Sequence, residues 1–564
     1  MHKRNWLLWA GLVLIVAGSA LASVVQTAGG IEVRDVRFIG TGGLPMSALL
    51  YVPPNATAKT PAPGILAVHG YFNSRETQDG FAIEFARRGY VVLAIDQAGH
   101  GYSAPPAFER GYGGPDGLRY LRTLDIVDKD NIGLEGHSMG GWAVISAAAA
   151  VPDGYKAAVI EGSSTGKPFA PEGTVSFPHN IAVVESKYDE FAGVMWGAPT
   201  AEQVQDSAKL KALFGSVGPV AVGTVYGDID KGTGRVLYTP PITHAQDTFS
   251  TEAIGYALSW FQRTLKGGHP RLVSDQIWIW KEIGTLLGLI GFVALLLGVF
   301  EALLALPGFA ALSAAPAPAH GRRDGRWWIV FLVTLIVPAA TYLPLMLLGA
   351  AWVPASHLLP EAFTNQIALW ALVNAAIAFA AGLFTTSTVR EPATPILPAI
   401  GIAILTIAAG YAALAIVDFF FKVDFRFWVV GLKLLNRDRF GYFLIYLVPF
   451  TGYTILALRV LPQGLAVKGQ SAITAYMTNV AAMSFGFLVF LIAEYTPMFL
   501  HDELLNPAQG LYTIMSVQFM VLMAIVALIF TFTWRRTGSA LPGALISGLF
   551  LAWYIVAGQA MQAA

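Results

Sequence analysis

The chain has no cysteine, few charged residues and no long run of charge of either sign. The absence of cysteine excludes disulfide bonds, thiol catalysis and cysteine-ligated metals, so any catalysis must rest on oxygen or nitrogen groups. Only 13% of the 564 residues are charged and the formal net charge is zero, so nothing indicates nucleic-acid binding. With 55% hydrophobic residues, the chain is too apolar to be wholly soluble and too long to form one domain.

The N-terminal segment, residues 1–29, combines a basic start with an apolar run. Lys3 and Arg4 precede a run from Trp6 to Ala22 that ends in the small residues Ala20-Leu21-Ala22. This pattern fits a secretory signal peptide and also a short uncleaved anchor. Under either alternative, the residues that follow are exported.

Residues 30–268 read as alternating strands and helices. This alternation predicts an α/β domain with a mostly parallel sheet covered on both faces. The predicted strands are 32–39, 47–52, 64–68, 91–95, 131–135, 157–161, 181–185, 220–226 and 235–238, and the predicted helices are 78–88, 117–125, 141–150, 201–214 and 252–265.

After Pro270 the composition changes to long apolar stretches. Each is about long enough to cross a hydrocarbon core of roughly 30 Å. Residues 269–564 therefore predict an all-α transmembrane domain of about eight helices, near 283–306, 327–349, 366–385, 395–417, 441–459, 472–494, 511–532 and 540–560.

Lysine and arginine predict the orientation of these spans. If the N-terminal Lys3 and Arg4 are cytoplasmic, the loops with Arg322, Arg390, Lys468 and Arg535 fall on the same side, while loops 350–365 and 495–510 contain neither residue. We therefore expect a multi-pass protein of a prokaryotic plasma membrane, with the α/β domain on the extracytoplasmic side.

Residues 418–440 break this rule, because they are basic but should be external. Lys422, Arg426, Lys433 and Arg437 fall within about 60° of one another at about 100° per residue. This spacing favours an interfacial amphipathic helix on the lipid surface. Its basic face has two other candidate partners, an anionic substrate and the α/β domain.

The segment Gly136-His137-Ser138-Met139-Gly140 carries the clearest chemical signal. It follows a predicted strand and opens a predicted helix, which is the context of a nucleophile elbow. A serine on such a turn projects its hydroxyl away from the sheet, and the two glycines leave room for the tight backbone. Ser138 is therefore the candidate nucleophile.

A serine nucleophile needs a base, and the base needs an acid that holds its tautomer. With such an elbow the acid and then the histidine follow in chain order, at the carboxyl ends of strands. Asp189 follows the strand at 181–185, and His244 follows the last predicted strand, so these are the candidate acid and base. The alternatives left open are Glu185, Glu190, Asp228 and Asp230 for the acid, and His69, His100, His137 and His179 for the base.

The oxyanion of an acyl-transfer reaction needs backbone donors. The NH of Met139, just after the candidate nucleophile, is one candidate. The other is the NH of Tyr71, in the loop His69-Gly70-Tyr71 after the strand at 64–68.

With these motifs, residues 30–267 resemble the α/β-hydrolase superfamily, and most closely its dienelactone-hydrolase and prolyl-oligopeptidase-like branches. The elbow at Ser138, the turn Asp96-Gln97-Ala98-Gly99-His100-Gly101-Tyr102-Ser103, Asp189 and His244 carry the resemblance. It implies a Ser-His-Asp mechanism with an acyl-enzyme intermediate, and it implies nothing about the membrane half.

The first hypothesis is thus a membrane-embedded serine hydrolase that cleaves carboxylic esters, lipid-like esters among them, without a metal or organic cofactor. Membrane lipids are expected partners, and a homo-oligomer stays open. A peptidase or amidase with the same triad is one alternative. A transporter with a hydrolase-like regulatory domain is the other.

Overall fold

The structure is a computed structural model that describes residues 5–72, 74–317, 319–383 and 391–563. Helix α1 (Trp6–Gln26) leads into an eight-stranded sheet with strand order β1-β2-β4-β3-β5-β6-β7-β8. The pairs β1–β2 and β2–β4 are antiparallel, and the others are parallel, which confirms the predicted mostly parallel sheet. The strands are β1 (Glu32–Ile39), β2 (Pro45–Val52), β3 (Ala62–Val68), β4 (Val91–Ile95), β5 (Val127–His137), β6 (Ala157–Glu161), β7 (Ile181–Val184) and β8 (Arg235–Tyr238).

Helices cover both faces of this sheet. Successive side chains of a strand point to opposite faces, so Leu66 packs in one apolar core and Ile65 in the other. Because both faces are covered, the central strands are continuous hydrophobic runs. The helices are α2 (Asp79–Arg87), α3 (Gly114–Leu121), α4 (Met139–Ala150), α5 (Ala192–Trp196), α6 (Ala208–Phe214) and α7 (Thr251–Thr264).

Two predicted elements of this half are wrong in detail. Residues 220–226 do not form a strand, and only Tyr226 makes an isolated bridge, to Arg235. Gly223, with φ +73°, interrupts the extended run. The helix predicted at 201–214 is a 3₁₀ turn followed by α6, because Ser207 is extended and its hydroxyl caps the new helix at the NH of Leu210.

The second half is helical. The described residues hold eight helices that are long and apolar enough to cross a membrane, α1 included, or nine if the pair α9 and α10, bent by 44°, is one span. The helices are α8 (Trp278–Leu304), α9 (Gly325–Ala340), α10 (Tyr342–Trp352), α11 (Ala362–Leu383), α12 (Ile396–Phe421), α13 (Arg437–Ala457), α14 (Val460–Leu465), α15 (Ala472–His501), α16 (Gly510–Thr537) and α17 (Ala540–Gly558).

Each predicted stretch coincides with one of these helices or with the bent pair. Residues 384–385, Lys3, Arg4 and Arg390 lie outside the described residues. The domain boundaries 1–29, 30–268 and 269–564 stay predictions.

Helix α1 packs tightly against α8 through glycines. A Cβ on Gly18 would lie 2.4 Å from the carbonyl oxygen of Gly284, and a Cβ on Gly291 would lie 2.8 Å from the amide nitrogen of Ile15. Small residues allow two helix backbones to approach this closely. Helix α1 is therefore packed as part of the helical assembly, whereas its cleavage stays an untested prediction.

The basic loops meet at the end of the helical half away from the sheet. The NH of Lys468 donates to the carbonyl oxygen of Gly321 at 3.0 Å, and Arg536 Nε donates to Glu301 Oε1 at 3.0 Å. At the opposite end, the NH of Met561 donates to the carbonyl oxygen of Gly99 in the α/β half. These basic loops lie at the end of the helical half opposite the α/β half, as the distribution of lysine and arginine predicts. The orientation of the protein across a membrane stays a prediction.

Residues 418–440 do not form the expected amphipathic helix. Helix α12 continues to Phe421, and a two-stranded hairpin follows, β9 (Phe425–Phe427) with β10 (Val430–Leu432). Two of the basic side chains are buried against carboxylates: Arg426 pairs with Asp424 at 2.7 Å, and Lys433 forms an ion pair with Glu76 of the α/β half. A buried cation needs such a partner, so the α/β half takes the place expected for headgroups.

Arg439, at the start of α13, also joins the two halves. Its guanidinium is buried, donates to the carbonyl oxygens of Gly99 at 2.9 Å and Gly101 at 3.2 Å, and pairs with Glu361 at 2.9 Å. The α/β half is therefore held on the helical half by buried charges as well as by apolar packing.

Candidate active site

Ser138 lies on a sharp turn between β5 and α4. Its backbone has φ +56° and ψ −123°, a conformation that costs about 1–3 kcal/mol and must be held by its surroundings. The NH of Ser138 donates to the carbonyl oxygen of Glu161 on β6 at 2.8 Å, and the NH of Gly141 donates to the carbonyl oxygen of Ser138 at 2.9 Å. These bonds fix the strained turn from both sides.

The two glycines of the motif are required by close backbone contacts. A Cβ on Gly136 would lie 2.3 Å from the carbonyl oxygen of Gly140, and a Cβ on Gly140 would lie 2.0 Å from that of Val68. Neither distance is sterically possible. The sequence argument that glycine leaves room for the turn therefore has a direct structural basis.

Ser138, His244 and Asp189 form one chain of hydrogen bonds. Ser138 Oγ lies 2.8 Å from His244 Nε2, and His244 Nδ1 lies 2.8 Å from Asp189 Oδ2. Asp189 follows β7 and His244 follows β8, as expected for loops at the carboxyl edge of the sheet. The NH of Phe191 donates to the second Asp189 oxygen at 2.7 Å and fixes the carboxylate.

The surroundings of His244 favour its charged form. Burial acts to lower the pKa of His244, but the Asp189 carboxylate, by charge and hydrogen bond, outweighs this effect and raises the pKa to about 9. Glu190 and Asp247 contribute in the same direction. The arrangement therefore stabilises an imidazolium, the species that forms when a histidine accepts a proton from a serine.

The other candidate acids do not contact the imidazole. Glu185 Oε2 accepts from Trp196 Nε1 at 2.9 Å, while Asp228 caps a turn by accepting from the NH of Asp230 at 2.9 Å. Glu190 reaches only the backbone of His244, whose NH donates to Glu190 Oε2 at 2.9 Å.

The other candidate histidines make local hydrogen bonds. His69 Nε2 accepts from the NH of Gln97 at 3.0 Å, and His100 Nδ1 lies 3.0 Å from the carbonyl oxygen of Ala98. His137 Nε2 lies 2.9 Å from the carbonyl oxygen of His244, and the NH of His179 is bonded to Tyr155 Oη. Among the described histidines, only His244 has a hydrogen bond to Ser138.

The turn from Asp96 to Ser103 has a structural role. Asp96 Oδ2 accepts from Ser47 Oγ at 2.9 Å and from the NH of Tyr102 at 3.1 Å, and Ser103 Oγ donates to the carbonyl oxygen of Asp96 at 2.7 Å. A Cβ on Gly101 would lie 2.3 Å from Asp96 Oδ1. The motif thus folds the loop that lies under Arg439.

A cavity of about 500 Å³ opens over Ser138. The predicted oxyanion residues Tyr71 and Met139 line it, and Met139 is the first residue of α4; donation by their NH groups stays a prediction. Phe191 and Met195 form part of the wall, so the segment after Asp189 faces the cavity.

The helical half forms the opposite wall of this cavity, which the sequence did not reveal. Neither spacing nor composition marks a pocket residue among so many apolar ones. The residues that the helical half contributes are Val429, Pro507, Ala508, Gly510, Leu511 and Ile514.

In the part of the chain that the structure describes, one group of side chains is close enough to hold a metal ion. It comprises His137, His244 and Asp247, whose candidate ligand atoms lie within 4.8 Å of one another. Both ring nitrogens of His244 are already hydrogen-bonded to Ser138 and Asp189. The donor set therefore favours proton transfer over metal ligation.

Comparison with known proteins agrees with the fold. Residues 63–178 match the family model described as alpha/beta hydrolase fold. A putative non-heme haloperoxidase of Mycobacterium phage D29 is 34% identical over 113 residues, which are 20% of this chain and 40% of that protein. The matched segment thus spans well under two thirds of that relative.

Similar solved structures include a dienelactone hydrolase from Anabaena variabilis, with 18% identity, a TM-score of 0.30, and coverage of 42% of this chain and 99% of that one. The esterase Pf2001 of Pyrococcus furiosus has 16% identity, a TM-score of 0.30, and coverage of 42% and 91%.

The sheet topology and the matched family model define an α/β-hydrolase domain in the first half of the chain. In this chain the domain with this fold is joined to helices that are long and apolar enough to cross a membrane.

Proposed function

We propose that this protein is a membrane-embedded serine hydrolase that cleaves carboxylic esters, including lipid-like ones, through an acyl-enzyme intermediate. The observation that carries the proposal is the chain of two 2.8 Å hydrogen bonds from Ser138 through His244 to Asp189 at the base of an apolar cavity. Nucleophile, base and orienting acid are the three parts that such a reaction needs.

In the proposed reaction Ser138 Oγ attacks the ester carbonyl carbon while His244 Nε2 takes its proton. Asp189 holds the Nδ1–H tautomer and stabilises the imidazolium. The NH groups of Met139 and Tyr71 bind the oxyanion. As the tetrahedral intermediate collapses, the alcohol leaves with the proton from His244, and water then hydrolyses the acyl-Ser138 ester with His244 again as the base.

The lining of the cavity favours a substrate with an apolar acyl group. Among its described lining residues there is no Lys, Arg, Asp or Glu to receive the charged groups of a peptide. Leu511 and Ile514 bring part of the wall from α16, a helix long and apolar enough to span a membrane. A substrate that partitions into the bilayer would therefore meet a wall of matching polarity.

For the location we propose the plasma membrane, with the α/β domain on the extracytoplasmic face. The support is the excess of arginine and lysine in the loops at the far end of the helical half, such as those with Arg323 and Lys468.

The test is covalent labelling of the purified full-length protein in detergent with a fluorophosphonate probe. Wild type and Ser176→Ala, a control at an exposed serine of the same domain, should be labelled equally, whereas Ser138→Ala should not be labelled at all. Absence of labelling in the wild type would refute the proposal and favour a transporter with a regulatory domain.

Hydrolysis of p-nitrophenyl esters of graded chain length should require Ser138 and favour longer acyl chains. Faster cleavage of matched anilides than of the esters would favour the peptidase or amidase alternative.

A further inference from the structure

The loop that carries Asp189 is joined to the loop that carries His244 by a series of backbone bonds. The NH of Lys187 donates to the carbonyl oxygen of Pro240 at 2.8 Å, and the NH of Tyr188 donates to that of Ile242 at 3.0 Å. The last link of this series is a side chain, because the NH of His244 itself donates to Glu190 Oε2 at 2.9 Å. The carboxylate of Glu190 therefore holds the backbone NH of His244, while His137 Nε2 lies 2.9 Å from the carbonyl oxygen of the same residue.

The other oxygen of Glu190 is held by the helical half. Tyr495, near the end of α15, donates its hydroxyl to Glu190 Oε1 at 2.6 Å. One carboxylate thus bridges a helix of the membrane half and the backbone of the candidate base. Both hydrogen bonds of this bridge, at 2.6 and 2.9 Å, are within the ordinary range of well-formed hydrogen bonds.

Two further contacts press this loop against the same helices. The ring of Tyr188 packs edge-on against Phe499 of α15, with centroids 5.1 Å apart. A Cβ on Gly510, the first residue of α16, would lie 3.3 Å from both Cβ and the carbonyl oxygen of Glu190. The end of α15 and the start of α16 therefore form the surface on which the catalytic loop rests.

We propose that Tyr495 is a positioning residue of the active site: through Glu190 it fixes the backbone of His244, so that the base is correctly placed only while the ends of α15 and α16 are docked on the α/β domain. This inference rests on the proposed function. It gives the membrane half a role in the chemical step besides its contribution to the cavity wall.

The inference predicts a defect in the rate of acylation and not in substrate binding. Tyr495 does not line the cavity, so KM should be unchanged. Displacement of a catalytic group by about 1 Å can lower the rate roughly a hundred-fold. Loss of the Tyr495 hydroxyl removes one of the two hydrogen bonds of Glu190, so we expect it to lower kcat about ten-fold.

The experiment compares variants of the full-length protein in detergent. For each variant, kcat and KM are measured on a p-nitrophenyl ester, together with the inactivation rate constant and the affinity for the fluorophosphonate probe. Tyr495→Phe removes only the hydroxyl. Tyr476→Phe makes the same change at the other end of α15 and should match wild type.

Glu190 variants separate position from charge. Glu190→Gln can still accept from the NH of His244 and donate to the Tyr495 hydroxyl, so its kcat should stay within about two-fold to three-fold of wild type. Glu190→Ala should lose about ten-fold or more. Adding Tyr495→Phe to Glu190→Ala should cause no further loss, because the tyrosine acts only through the carboxylate.

Several outcomes would overturn the inference. One is a Tyr495→Phe protein with wild-type kcat and inactivation rate; another is a loss that multiplies in the double variant. A loss in Glu190→Gln as large as in Glu190→Ala would show that charge, not position, matters. These results all presuppose a labelled wild type; failure of Ser138 to react would instead refute the proposed function, and the inference with it.

Discussion

The raised pKa of His244 leads to a quantitative prediction about pH. A shift of the pKa from 6.5 to about 9 corresponds to about 3 kcal/mol in favour of the imidazolium, at 1.36 kcal/mol per pH unit. A general base must be neutral to take the proton of Ser138, so activity should rise with pH until His244 loses its proton. Near pH 7 only about 1% of the free enzyme would carry a neutral His244, so kcat/KM should rise about fifty-fold between pH 7 and pH 9 and level off at about a hundred-fold above that pH.

Asp189→Asn tests which carboxylate causes the shift. The variant keeps the shape of the side chain but removes the charge and favours the wrong tautomer of His244. We expect kcat/KM to fall by about a thousand-fold to ten-thousand-fold. The midpoint of the remaining activity should move down by about two pH units, because burial, which lowers the pKa of His244, then meets less opposition.

The assay is kcat/KM between pH 5 and 10 on a neutral short-chain ester, with product detected at a wavelength where its absorbance does not depend on pH. Glu190→Gln and Asp247→Asn serve as comparisons, since both carboxyls also raise the pKa of His244. Burial and the charge of Asp189 raise the pKa of Glu190 to about 7, so Glu190→Gln should remove any shallow step near that pH. It should lower the main midpoint by less than Asp189→Asn does, because Asp189 has the larger effect on the pKa of His244. If the main midpoint does not change in Asp189→Asn, or changes only in Asp247→Asn, Asp189 is not the carboxylate that raises the pKa of His244.

Three further predictions concern the walls and supports of the site. Leu511→Trp should narrow the cavity and lower kcat/KM for long-chain esters about ten-fold relative to short ones, as a chain-length series would show. Gly136→Ala should abolish labelling of Ser138, because its Cβ would lie 2.3 Å from a carbonyl oxygen, whereas Gly193→Ala, with no atom closer than 3.6 Å, should retain it. Arg439→Met should lower the stability of the detergent-solubilised protein by about 3–5 kcal/mol, because Glu361 loses its buried partner; the added change Glu361→Gln should restore part of this in thermal unfolding.

The elbow could be predicted because its constraint is local. The glycines on either side of Ser138 are needed by atoms within the same turn and the adjacent strand, so their spacing is visible in a single stretch of sequence. The loops that carry Asp189 and His244 were predictable for a related reason: each follows a strand that hydrophobic pattern alone identifies, and parallel strands bring their carboxyl ends to one edge. The sequence could not separate Asp189 from Glu190, because neighbouring residues on one loop differ only in where their side chains point. In the structure one carboxylate reaches the ring of His244 and the other its backbone.

The contribution of the helical half to the site could not be predicted. Tyr495 is 305 positions away from Glu190, and Leu511 is one of many apolar residues in a long apolar helix. Helices of this kind carry little pattern that distinguishes a residue facing lipid from one facing a cavity. Only the docking of the two halves, which depends on many weak contacts at once, gives these residues a role.

The basic segment 418–440 is an exception to the rule that lysine and arginine mark the cytoplasmic loops, and its contacts with the α/β domain explain the exception. The charge rule assumes that a cation between two spans needs water or headgroups, and on that assumption five basic residues on the outer side are anomalous. The structure gives three of them other partners: Arg426 pairs with Asp424, Lys433 with Glu76, and Arg439 with Glu361. Burying a charge is costly unless it is paired, so these ion pairs explain how cations are accommodated on the predicted outer side under the α/β domain. The same coverage brings α15 and α16 against the loop of Asp189 and Glu190, so the buried charges of segment 418–440 and these contacts belong to one interface between the helical half and the α/β domain.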